Sequence, residues 1–148
     1  MSPAPFTLLV HDTLLAVARL GPREAVPVWA WSGPLVALAR TPAELSIVCD
    51  ASAVPPGVVA EGPWRALEVA GPLDFGLTGV IHNLTAPLAA AGISVFVFST
   101  FDTDYLLVRA ASLDAACAAL REAGHAVATR AADGVPAVRP QTLATRLD

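Results

Sequence analysis

The sequence contains no lysine among its 148 residues. Schiff-base chemistry therefore has no amine to use. A phosphate-binding P-loop is excluded too, because its Gly-Lys-Ser/Thr needs that ammonium. Charge of any kind is scarce at 15% of residues, and the net charge of −4 leaves no basic patch for nucleic acid. Cysteine is reduced to Cys49 and Cys117, far apart and in no CxxC, which read as two buried thiols of a cytoplasmic protein rather than a disulfide. His11, His82 and His125 show no HxxH, HExxH or Cys/His spacing, so neither a metal site nor a cofactor is expected. Ser99 lacks a GxSxG context. No nucleophile–base pair stands out, and the chain does not read as an enzyme. The opening MSPAPF has no basic segment, so no signal peptide is expected.

What is abundant is apolar surface, at 55% of residues. Residues 75–101 carry no Asp, Glu, Arg or Lys and are long enough to cross a bilayer. Pro87 and Gly92 interrupt them, however, and their hydrophobic period changes from helical to strand-like. Such a stretch reads as a helix followed by a buried strand, not as one membrane span.

The first half of the chain reads as short strands. Phe6–Val10 and Leu14–Leu20 flank His11-Asp12-Thr13 as a plausible hairpin. Leu35–Arg40 is a third strand. Thr41-Pro42-Ala43-Glu44 has the form of a helix start with a capping box, while Leu45–Cys49 is β-prone, so one helical turn and then a fourth strand are expected. The proline- and glycine-rich residues 51–63 are expected to be a loop and a boundary.

The second half has cleaner periods. Trp64–Ala70 alternates as a strand does. Leu77, Val80, Ile81, Leu84 and Leu88 form a helical stripe, kinked at Pro87 and ended by Gly92. Ile93–Phe98 and Tyr105–Val108 are strands joined by the turn 99–104. Ser112 is placed to cap a second helix, closed by Gly124 and followed by the strand His125–Thr129. The sum is β-α-β-β-α-β: two helices on one face of a four-stranded antiparallel sheet, a ferredoxin-like α+β fold. The expected division is an abbreviated β subdomain at 1–60, the βαββαβ domain at 61–130 and a tail at 131–148.

Three stretches carry a family resemblance: 41–49 (TPAELSIVC), 71–79 (GPLDFGLTG) and 99–108 (STFDTDYLLV). Together, in this order, they resemble the small bacterial ACT-domain proteins of the CASTOR type, whose animal relative is a cytosolic arginine sensor. The resemblance covers about residues 6–130. It implies an ACT-like first module, abbreviated, ahead of a complete ACT domain. It also implies a regulatory role, pairing into a homodimer or higher homo-oligomer, and a small ligand at an interface. In ACT domains the loop between first strand and first helix commonly holds that ligand. This carries over to Gly71, Asp74, Phe75, Thr78 and Gly79, and to Ser99, Thr100, Phe101, Asp102 and Thr103 in the neighbouring turn.

The chemistry of these residues suits an amino acid. A helix N-terminus offers unpaired N–H groups to a carboxylate, and Asp74, Asp102 and Asp104 offer acceptors to an ammonium. Bland roles stand beside these. Asp74 could cap the helix. Asp102 could serve its own turn. Phe75 and Phe101 read more naturally as core. His82 reads as a half-buried polar residue. Trp29, Trp31 and Trp64 could pack in a core, line an interface or form a docking patch for a separately encoded protein. That last possibility is the competing function: an interaction module without a small-molecule ligand. Neither nucleic acid nor membrane is expected as a partner.

Overall fold

The computed structural model describes residues 5–130. The expected tail at 131–148 lies outside the described residues. The elements are β1 (Thr7–Val10), β2 (Leu15–Leu20), β3 (Ala37–Arg40), β4 (Leu45–Asp50), β5 (Val59–Val69), α1 (Val80–Ala90), β6 (Val95–Ser99), β7 (Asp104–Arg109), α2 (Leu113–Glu122) and β8 (Ala126–Thr129). The chain divides into two compact units, one of Thr13–Arg65 and one joining the residues up to Asp12 with those from Ala66 onward. This differs from the division at 60/61 expected from the sequence. The N-terminal strand belongs with the second half, and β5 passes from one unit into the other.

In the 13–65 unit, strands run in the order β3-β4-β2-β5, all antiparallel. Ala18, Leu45, Ile47 and Cys49 alternate inward, and Ala30 of the 3-10 turn Val28–Trp31 joins them. The expected helical turn at 41–44 is absent. Thr41 Oγ1 instead accepts from the N–H groups of Ala43 and Glu44, and Thr41 N–H donates to the Glu44 carbonyl, closing the β3–β4 hairpin. Thr satisfies nearby N–H groups equally well in a tight turn and at a helix cap, so the motif alone does not choose. The expected loop 51–63 is also shorter, because β5 begins at Val59.

The second unit contains the expected β-α-β-β-α-β order, with an addition. β1 does not form a hairpin with β2. It lies between β5, antiparallel (Leu8↔Val69), and β8, parallel (Leu8↔Val127). The sheet is therefore mixed and five-stranded, in the order β8-β1-β5-β7-β6, rather than four-stranded and antiparallel. Leu8, Leu67, Val69, Leu106 and Val108 meet Val80, Leu84 and Leu88 of α1 and Ala116, Cys117 and Leu120 of α2 in one core. Each fully buried leucine contributes about 1.5–3 kcal/mol. Cys49 and Cys117 are both free thiols and buried.

α1 starts at Val80, later than the apolar stripe suggests, and Leu77 is exposed. It continues through Pro87, which has no N–H for the Asn83 carbonyl. That carbonyl instead meets His125 Nε2 at 3.3 Å, while His125 Nδ1 accepts from Phe6 N–H at 3.1 Å. Because Phe6 can only donate, the ring carries its proton on Nε2. His125 is buried and stacked on Phe6, and it joins α1 to the segment that leads into β1. Ser112 makes no cap hydrogen bond. It ends a 3-10 turn, Ala110–Ser112, that runs directly into α2. Among the described residues, no helix is long and apolar enough to cross a membrane, and 75–101 separates into α1 and β6.

Candidate ligand-binding site

The β5–α1 loop and the β6–β7 turn emerge at the same edge of the sheet. The Leu73 N–H donates to the Asp102 carbonyl at 2.7 Å, which ties one to the other. Between them lies a cleft of about 450 Å³. Its walls include Asp74, Phe75, Gly79, Ser99, Thr100, Phe101, Asp102 and Thr103. Two of the ten sequence-derived positions are not in the lining. Thr78 is exposed on the loop. Gly71 is a packing glycine: a Cβ there would sit 3.0 Å from the Leu73 nitrogen and 3.2 Å from the Asp102 oxygen. Asp104, His82, Ile81, Val80, Leu77 and Leu73 complete the wall.

Several polar wall residues have a definable local role. Asp74 does not cap α1, whose first turn holds no acidic residue. Its Oδ1 accepts from Gly76 N–H at 2.7 Å, and its carbonyl accepts from Leu77 N–H, so it shapes the loop. Gly79 is the residue before the helix and has φ +78°, a left-handed conformation that a side chain would oppose. Gly79 has no side chain to cap the N-terminus, and the N–H groups of Val80, Ile81 and His82 lie in the first turn of α1, where they have no partner within the helix. Thr103 Oγ1 donates to the Val69 carbonyl and pins the turn to β5. Thr100 and Thr103 bond to each other across the turn tip. Ser99 Oγ donates to Asp104 Oδ1 where the turn closes.

Phe75 and Phe101 are not core residues. They are 70% and 51% exposed and meet edge to face, with centroids 5.0 Å apart. One comes from each loop. Carboxylates of Asp74, Asp102 and Asp104 share this cleft, and among the described residues no arginine lines it. The chemistry on offer is thus a partial positive charge at the helix end and negative charge with aromatic edges opposite.

The sequence reading missed a polar cluster elsewhere on this unit. The Glu68 carboxylate is buried, and its Oε1 accepts from His11 Nε2 at 2.7 Å and from Arg130 at 2.7 Å. Burial pushes its carboxyl up, but the His11 hydrogen bond and the Arg130 charge outweigh this and hold it below the usual glutamate range. Tyr105, stacked on Phe98, is pushed up to about 12 by burial and by the Glu68 charge. No local spacing signals such a cluster, because its members are brought together only by strand pairing. Among the described residues, no group of His, Cys, Asp and Glu is arranged to hold a metal ion.

Comparison with known proteins agrees with this architecture. Residues 59–122 match the family model of the ACT domain, and residues 14–57 match a second model described as an N-terminal domain. The human protein named cytosolic arginine sensor for mTORC1 subunit 1 is 30% identical over 121 residues, covering 65% of this chain and 35% of the sensor. The Bos taurus sensor is 29% identical with the same coverage. The chain thus spans about a third of the length of these curated relatives. A crystal structure of an Agrobacterium tumefaciens protein superposes with a TM-score of 0.81 at 37% identity, covering 87% of this chain and 96% of that one. The regulatory subunit of aspartate kinase from Thermus flavus shares the fold, with a TM-score of 0.55 at 13% identity over 78% of this chain and 95% of its own. The chain belongs to the ACT-domain family, as one of its small CASTOR-like members.

Proposed function

We propose that this protein is a non-enzymatic regulatory module that binds an amino acid with a cationic side chain in the cleft between the β5–α1 loop and the β6–β7 turn. The observation that carries this is the charge layout of the cleft: a helix N-terminus preceded by glycine on one wall, and Asp74, Asp102 and Asp104 on the others, with no lining arginine among the described residues. The ligand carboxylate suits the N–H groups of Val80–His82. Its ammonium and its side-chain cation suit the carboxylates. The exposed rings of Phe75 and Phe101 favour a cation by their π-faces, an effect of about 0.5–1 kcal/mol at such exposure. The mammalian relatives are named for sensing arginine, which is the same chemical class.

The cleft is open on one side, and a second copy is the natural wall. Among the described residues β6 pairs only with β7, and its sequence VFVFS carries no charge to discourage pairing. A two-fold homodimer joined along β6 pairs the two edges antiparallel, which sets the Ser99 end of one copy against the Val95 end of the other. A thermal-shift screen of the full chain against the twenty amino acids tests the reading. Ligand at 100 times its Kd adds about 2.7 kcal/mol, hence several degrees in Tm. Arginine or lysine should raise Tm and glutamate should not. A flat screen with a folded protein would overturn it. One observation favours the second reading, docking onto a separate protein. Val28 and Trp31, in one short 3-10 turn, are 89% and 60% exposed.

A further inference from the structure

The 13–65 unit holds a cavity of its own, of about 770 Å³, within the range of small-molecule sites. Its origin can be traced in the backbone. The pairing of β2 with β5 shifts register between Leu15 and Val17, so β5 bulges there, with Gly62 and Pro63 facing the single residue Ala16. Opposite it runs Ala60-Glu61-Gly62-Pro63. Bulges spread strands apart and recur beside functional sites. The residues at the gap are too small to refill it, since Ala16, Ala51, Ala60 and Gly62 reach no further than Cβ. Leu14, Val54 and Pro63 add an apolar lining, and Leu14 leaves 46% of its surface open.

Among the described residues, the charged groups that line this cavity are of one sign. Asp50 ends β4 at the cavity wall, and Glu61 lines it from β5. Among the described residues, neither arginine nor histidine lines it. The Asp50 carboxylate is fixed in place: Ser52 donates its N–H at 2.9 Å and its hydroxyl at 2.8 Å to Oδ1. Those hydrogen bonds keep it below the usual aspartate range, hence ionised at neutral pH. Arg19 and Arg40 of the same unit are engaged elsewhere, with Glu44 and with the carbonyls of Pro22 and Glu24. An apolar hollow with a fixed anion at its wall is complementary to an apolar body that ends in a cation.

We infer that this cavity, formed at the β5 bulge and walled by Asp50, is a second ligand site for a small aliphatic ammonium compound, separate from the cleft of the βαββαβ unit. The site does not depend on the proposed amino-acid function, and either can fail without the other.

The test uses the full chain, labelled with 15N, and n-hexylammonium as probe, with n-hexanol and hexanoate as controls. The expected result is a saturable set of amide shifts confined to Leu14, Ala16, Ala51–Val54 and Ala60–Gly62. Hexanoate should give none, and hexanol should bind at least about tenfold more weakly than the amine. Asp50→Asn keeps an acceptor for Ser52 and removes the charge, and should weaken the amine about tenfold. Ala60→Phe, at an exposed position, should fill the hollow and abolish binding while leaving the remaining spectrum unchanged. Equal binding of the three probes, unchanged affinity in Asp50→Asn or in Ala60→Phe, or shifts that map only to residues 71–82 and 99–104 would each overturn the inference.

Discussion

His125→Ala removes a side chain that satisfies two backbone groups at once. The Phe6 N–H loses its acceptor, and the Asn83 carbonyl loses the donor that replaces the missing N–H of Pro87. A buried polar group left without a partner costs about 1–3 kcal/mol. With His125 only 9% exposed, both losses fall in a water-poor site, and the stacking on Phe6 goes as well. The expected destabilisation is about 2–4 kcal/mol. Urea unfolding should show it as a lower midpoint with an unchanged slope. The reasoning makes a sharper demand in a double-mutant cycle. Pro87→Ala restores an N–H four residues after Asn83, so the helix can satisfy that carbonyl itself. His125→Ala should then cost about 1 kcal/mol less in the Pro87→Ala background than in the parent. A loss below about 1 kcal/mol for His125→Ala, or an equal loss in both backgrounds, would refute the bridging role.

Three further outcomes follow from the same structure. The Glu68 carboxyl is held low in the folded state, so its contribution to stability is present above about pH 4.3, its unfolded value, and fades as pH falls through the folded value. Glu68→Gln should therefore be less stable than the parent at pH 7, and chemical denaturation should show the gap narrowing as pH drops below about 4. Gly79→Ala, at φ +78°, should cost about 1–2 kcal/mol by the same denaturation assay, because an L side chain opposes the turn into α1. Phe101→Ala should weaken the cationic ligand by about three- to fivefold in calorimetry, with little change in Tm, since half of that ring is already exposed.

The second half of the sequence was legible because its signals are local. The stripe Leu84–Leu88, the alternation of β7 and the Gly124 after α2 need no distant partner to be read. The meeting of 71–79 with 99–104 accords with the βαββαβ order, and the Leu73–Asp102 hydrogen bond is its physical form. What sequence reasoning could not reach depends on pairing over distance. Phe6–Val10 announces a strand, but nothing in it reveals that Leu8 will sit opposite Val69 on one side and Val127 on the other. Glu68 alternates as a solvent-facing residue would, and only the sheet brings His11 and Arg130 to it. Phe75 and Phe101 misled for the opposite reason. Their hydrophobicity suggests a core, while their loops hold them out at the mouth of the cleft. Thr41 shows that cap chemistry and turn chemistry use the same bonds.

The central claim is that the cleft recognises a cationic amino acid through its carboxylates, and calorimetric titration of arginine into the parent and into Asp74→Asn/Asp102→Asn tests it most directly. Asn at position 74 can still accept from Gly76, so the loop is preserved. The account predicts a saturable heat in the parent and at least tenfold weaker binding in the double variant, with both proteins equally folded. No heat in the parent, or the same affinity in both, would contradict it.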